Sequence, residues 1–478
     1  MQTGLTRGEM RLTSLSRAVW NCLSSSPASF GSPGTLLVEM CFDHRESLLS
    51  KRVSLLLVLL LLPSTTMAKV WRVRVGGNSD APSIQAAIDS ASVADTVLVG
   101  TGTFWESINF KGKDIVVRSE DGYGTTTLDG SLSLGPVVSF KSGETRQAVL
   151  DGFTITGGLG SAELGGAPKG GGVLCIGSSP SILNNRIHTN TLSVAHSVGA
   201  GMAVVEPNIT QPTANPLIKG NIFENNSCAG NGGALAIQQA CAVVSNNFFR
   251  NNSSAEDGGA IWSYLSPIPP PIIDHNWVSD NHADDHGGGI YVGSNSEALE
   301  INLTYNVVVR NSANGMSSID TTSGGGIWLG NVSGGVAHNT IADNQGNDDS
   351  NCLGGVGLAL YRVSTQLQIT ANIIVYSRGC GLVCTGSSPA FGPNLIWSDA
   401  SPSDGGCDGL LESAVFANPL FCDPETDDYS VAADSPAHAG GTTMGAIEAP
   451  GCGPSRVHAA TWGQIKSMFT QRKKEAVK

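Results

Sequence analysis

Six stretches of this chain place four residues between two asparagines: Asn185 to Asn190, Asn221 to Asn226, Asn247 to Asn252, Asn276 to Asn281, Asn306 to Asn311 and Asn339 to Asn344, with weaker copies beginning at Asn372 and Asn394. Four of the six are followed by a glycine doublet or triplet and an apolar residue, Gly232-Gly-Ala-Leu235, Gly258-Gly-Ala-Ile261, Gly287-Gly-Gly-Ile290 and Gly324-Gly-Gly-Ile327, and the first and last by the looser Gly199-Ala-Gly-Met202 and Gly355-Val-Gly-Leu358. The period of about 26 to 37 residues is that of a solenoid, in which one repeat buries its apolar face only by stacking on the next. Asparagine tolerates a left-handed corner, and its amide can bond its counterpart one coil away, about 4.8 Å along the stack. The spacing therefore predicts an all-β, right-handed parallel β-helix over residues 69–450, with a short capping helix near 82–91.

Composition supports this reading. Charged residues are 14% of the 478 and glycines number 60, a balance that favours β-corners over helices. A formal charge of -13 argues against nucleic acid, whose binding needs a basic stripe. Lys51 and Arg52 lead into an apolar run from Val53 to Leu62, followed by Thr66-Met-Ala68; this reads as a signal peptide cut near Ala68, with Met40 as an alternative start. The run is short for a membrane span, and the mature chain is expected to be secreted or held at the outer cell surface, without a span. Residues 1–68 are thus set aside as signal peptide and upstream extension, and 451–478 as a tail. Nine of the 11 cysteines follow Ala68, an odd number in an oxidising compartment. Proximity suggests the pairs Cys380/Cys384 and Cys407/Cys422.

Phe223-Glu-Asn-Asn226 leading into Gly232-Gly-Ala-Leu235, and Phe249-Arg-Asn-Asn252 leading into Gly258-Gly-Ala-Ile261, resemble the FxxN and GGAI repeats of polymorphic outer-membrane proteins. More broadly the chain resembles the pectate-lyase-like superfamily, from Ser83-Ile-Gln-Ala-Ala-Ile-Asp89 at its entry to Gly445-Ala-Ile-Glu448 at its exit. The resemblance implies a parallel β-helix; it implies no one activity, because the architecture hosts lyases, hydrolases, adhesins and inert surface proteins.

Aligning coils on the glycine pairs separates the strand faces. Val173, Met202, Leu235, Ile261, Ile290, Ile327 and Leu358 form an inward column; Leu174, Ala203, Ala236, Trp262, Tyr291, Trp328 and Ala359 form the outward one. Trp262, Tyr291 and Trp328 are therefore expected as an exposed aromatic stack, either a platform for sugar rings or a stabiliser of the sheet. Just upstream lie Glu256-Asp257, Asp284-Asp285-His286, Asp320 and Asp348-Asp349. Stacked in register, such carboxylates come within about 5 Å, a separation that serves calcium or a retaining acid pair, although acids are also ordinary in solvated turns. Asp257, Asp284 and Asp285 are the candidate Ca²⁺ ligands, and Asp284, Asp285 and His286 the candidate catalytic groups. Arg186, Arg250 and Arg310 recur on another face, where salt bridges are the expected use. Without a complete catalytic set, the expectation is a non-catalytic exported surface protein that binds a polysaccharide or cell-surface glycan through Trp262, Tyr291, Trp328 and Asp257. The alternatives are a polysaccharide lyase or glycosidase and a structural adhesin or spacer.

Overall fold

The computed structural model describes residues 68–452 apart from 209–212, 266–269, 295–298, 316–322, 347–356, 377–380, 399–405, 408–410, 442 and 448–450. The readings of residues 1–67 and of the tail beyond 452 lie outside the described residues, as do Asp320, Asp348, Asp349, Cys352 and Cys380.

Among the described residues the chain forms two 12-stranded sheets and one 10-stranded sheet, all parallel, with a fourth sheet of five two-residue strands along one corner. One coil shows the pattern. Leu235–Gln238, Val243–Ser245, Phe248–Arg250 and Ser253–Ser254 belong in turn to the four sheets, and Ile261–Leu265 then pairs with Leu235–Gln238 to begin the next coil. This is the expected parallel β-helix. The inward column pairs residue on residue, Leu235 with Ile261, Ile290, Ile327 and Leu358, and each is fully buried. Each such side chain contributes about 1.5–3 kcal/mol by leaving water. The open first coil is covered by a helix, Ile84–Ser90, which buries Ile84, Ala87 and Ile88 and is capped by the Ser83 hydroxyl accepting from the Ala86 N–H.

The asparagines form two continuous ladders. One joins Asn185, Asn221, Asn247, Asn276, Asn306, Asn339, Asn372 and Asn394; the other joins Asn190, Asn226, Asn252, Asn281, Asn311 and Asn344. Every rung is an amide N–H donated to the next Oδ1 over 2.8–3.1 Å. The weaker copies at Asn372 and Asn394 thus extend the first ladder. The left-handed corner, however, is not at the ladder asparagine but one residue before it: Asn184, Asn246, His275, Tyr305, His338 and Ala371 precede the first ladder with φ of 53–55°, and Thr189, Asn225, Asn251, Asp280, Arg310 and Asp343 precede the second with φ of 52–57°. The αL residue turns its own side chain away from the coil interior and swings the next one inward, where the amide is shielded and worth more; Ala371 is itself buried in a second apolar cluster.

Glu224 lies between Arg186 and Arg250 on the outer face of a 12-stranded sheet, bonded by both and itself nearly fully buried. Arg310 likewise holds Asp280 through two N–H groups at 2.9 and 3.0 Å, so the recurring arginines are salt-bridging residues, as expected. Burial works to raise the Glu224 carboxyl, but the hydrogen bonds from Arg250 and Arg186 outweigh it and hold it below its ordinary value. A lowered carboxyl contributes stability that is complete above the unfolded-state value, about 4.3, and is lost as pH falls through the folded value. Glu224→Gln should therefore destabilise the chain by roughly 2 kcal/mol at pH 7 and show a smaller further loss between pH 5 and pH 3 than the parent, read from urea midpoints. Parallel loss in both proteins would refute this assignment.

The disulfides are Cys384–Cys407 and Cys422–Cys452, with Cα atoms 5.1 and 5.3 Å apart. Both expected pairings are corrected: an extended strand carries sequence neighbours apart, whereas a coil brings together residues 23 positions distant, as for Cys384 and Cys407. Near the second bridge, the antiparallel pair Phe421–Asp423 and Asp428–Val431 places Tyr429 against Arg310 and Asp343, its hydroxyl donating to Asp343 at 2.8 Å.

Candidate functional site

The corner that enters the 10-stranded sheet carries the acidic residues, and its loops do stack in register. Asp284 N–H donates to Ser254 O at 3.0 Å, Asp285 N–H to Glu256 O at 3.1 Å, and Gly258 N–H to His286 O at 2.9 Å. Gly258 and Gly287 sit at φ of 67° and 63°, which glycine adopts without strain.

Within this frame the candidate residues separate into two groups. Asp257 of one coil meets Asp285 and His286 of the next: His286 Nδ1 is 3.0 Å from Asp257 Oδ1 and 3.2 Å from Asp285 Oδ1, and the three atoms lie within 4.8 Å of one another. The His286 backbone N–H also donates to Asp257 Oδ1 at 3.1 Å. Asp284 does not join them. Its Oδ1 lies 3.1 Å from both His282 Nε2 and Asn314 Nδ2. Of the candidate residues the bend at 284–286 thus brings Asp257, Asp285 and His286 together and sets Asp284 beside His282 and Asn314. Sequence reasoning misses Asn314 and Asn231; Asn231 donates to Glu256 and accepts from the Asp257 N–H, and its one signal is a place directly before Gly232.

Trp262, Tyr291 and Trp328 pair as predicted, flanked by Ala236 and Ala359, on the outward face. They are not exposed. Trp262 and Trp328 keep only 7% and 5% of their surface, and Tyr291 is half-buried. The rings lie down along the sheet. A Cβ on Gly330 would stand 2.2 Å from Trp328 Cη2 and one on Gly293 would stand 2.8 Å from Tyr291 Oη, so each ring occupies the space left by the glycine two residues on, on the same face. Tyr291 stacks on Trp328 at 4.5 Å and Trp262 on Tyr264 at 5.5 Å, with Tyr361 beyond Trp328 at 5.9 Å. The result is an aromatic pavement whose faces are spent on one another. Burial also pushes the Cys228 thiol up to about 12 and raises Cys175, so neither offers a thiolate nucleophile at neutral pH.

Residues 222–238 and 248–264 match the family model of the Chlamydia polymorphic membrane protein repeat. The match covers two stretches of 17 residues and assigns neither catalysis nor glycan binding. No curated protein and no solved structure matches the chain. Among the described residues no helix is long and apolar enough to cross a membrane.

Proposed function

We propose that the chain is an exported, outer-surface solenoid whose β-helix serves as a structural or adhesive module, not as a glycan-degrading enzyme. The repeat match supports surface display. The observation that carries the non-catalytic reading is the division of the acidic corner: Asp284 is engaged with His282 and Asn314, away from Asp285 and His286. An acid–base pair needs both groups facing one substrate bond. The folded-down rings remove the motive for a sugar platform, because stacking on a sugar needs a free aromatic face.

Intact cells expressing the full chain should lose it to external protease. The purified protein should leave uronate and neutral polysaccharides undegraded, with or without Ca²⁺. Trp328→Ala should lower the unfolding free energy by about 3 kcal/mol, with no change in retention on a glycan array. Turnover abolished by Asp284→Ala and Asp285→Ala would overturn the proposal in favour of a lyase or glycosidase; array binding lost in a folded Trp328→Ala protein would restore the platform.

A further inference from the structure

The Asp257–Asp285–His286 corner brings two carboxylates and an imidazole from two successive coils within reach of one another. An imidazole nitrogen carries at most one hydrogen. Two carboxylate oxygens nevertheless approach His286 Nδ1, at 3.0 and 3.2 Å, all within a 4.8 Å cluster. A divalent cation in the place of that hydrogen would be met by one imidazole lone pair and two carboxylates. The separations suit that arrangement. Ligand atoms bonded at about 2.1 Å to one ion stand roughly 3.0 Å apart at right angles and roughly 3.4 Å apart in a tetrahedron.

The surroundings suit a bound ion as well. The corner is closely packed, since a Cβ on Gly259 would stand 2.3 Å from Gly288 O and 2.4 Å from His282 O. The His286 N–H at 3.1 Å from Asp257 Oδ1 orients that carboxylate, as outer partners orient metal ligands elsewhere. Trp328 packs on the His286 ring at 5.4 Å, and its indole N–H is buried with no partner among the described residues. His286 is 8% exposed, whereas Asp257 and Asp285 keep 20% and 25%, which leaves the ion a route from solvent.

We propose that Asp257, Asp285 and His286 bind one divalent transition-metal ion of the zinc type, joining two successive coils. A nitrogen ligand beside two carboxylates favours zinc, cobalt or nickel over calcium or magnesium, which prefer an all-oxygen shell. The site is independent of the proposed surface role, so a non-catalytic adhesin with or without the metal remains distinguishable.

The test uses the full chain, stripped with chelator and titrated with Zn²⁺ by calorimetry, with Co²⁺ absorption as a second readout. One equivalent should bind saturably, raise the thermal midpoint and give Co²⁺ bands in the visible. His286→Gln and Asp257→Asn should weaken Zn²⁺ binding by roughly 100-fold or more. Asp284→Asn removes a charge from the same loop without touching the cluster, and should leave binding unchanged. Ca²⁺ at the same concentrations should not compete. The absence of saturable binding, equal weakening by Asp284→Asn, or full retention in a folded Asp257→Asn protein would each overturn the assignment. If His286→Gln fails to fold, Asp257→Asn and Asp285→Asn decide it.

Discussion

Asn252→Ala is expected to lower the stability of the β-helix by about 4 kcal/mol, although the residue sits at a corner in the middle of a polar sequence. Asn252 Oδ1 accepts the Asn226 backbone N–H at 3.0 Å and its side-chain N–H at 2.9 Å, and Asn252 Nδ2 donates to Phe223 O at 3.0 Å and Asn281 Oδ1 at 2.9 Å. Alanine leaves these buried groups unpaired on both sides, and each orphan costs roughly 1–3 kcal/mol. The adjacent Asn251 supplies the contrast: it is exposed with φ of 54°, so Asn251→Gly should be neutral within about 0.5 kcal/mol. Guanidinium midpoints read by circular dichroism check both. Equal effects at the two positions would refute the division of labour between ladder and corner.

A larger effect is expected at Gly259. A methyl group there would meet two backbone oxygens, Gly288 O at 2.3 Å and His282 O at 2.4 Å, and neither can retreat without breaking the pairing of the next coil. Gly259→Ala should cost more than about 4 kcal/mol or prevent folding altogether, seen as loss of the soluble β-rich species. Gly335 has nothing within 4 Å of its would-be Cβ, and Gly335→Ala should be tolerated. If both variants fold alike, the close approach of coils at the glycine corner is wrong.

Most of the fold was legible because it follows from the main chain. The fixed offset from Asn221 to Asn226 and from Asn247 to Asn252, and the apolar residue after each glycine pair, reflect one coil geometry repeated, and the inward column could be read directly. What escaped the sequence depends on side-chain direction. Parity placed Trp328 and Tyr291 on the outer face, but their burial depends on Gly330 and Gly293 beneath the rings, two positions further along. Asp284 and Asp285 are neighbours whose opposite orientations composition does not reveal. Cys384 found Cys407 one turn away, since distance along an extended strand is no guide to distance across a stack. The asparagines showed the same limit on a smaller scale: the pair Asn225-Asn226 reads as one motif, yet only Asn225 has a positive φ and only Asn226 joins the ladder.

The two amide ladders have a consequence for how such a chain changes length. Every rung presents the same donor and acceptor to whichever rung follows, and Asn221 meets Asn247 across 26 residues as readily as Asn185 meets Asn221 across 36. Insertions and deletions are thereby sorted into two kinds: slack added between corners, which bulges outward at little cost, and whole turns gained or lost, which leave every junction chemically identical. The length of the solenoid can then be tuned in steps of one turn, without the invention of a new interface.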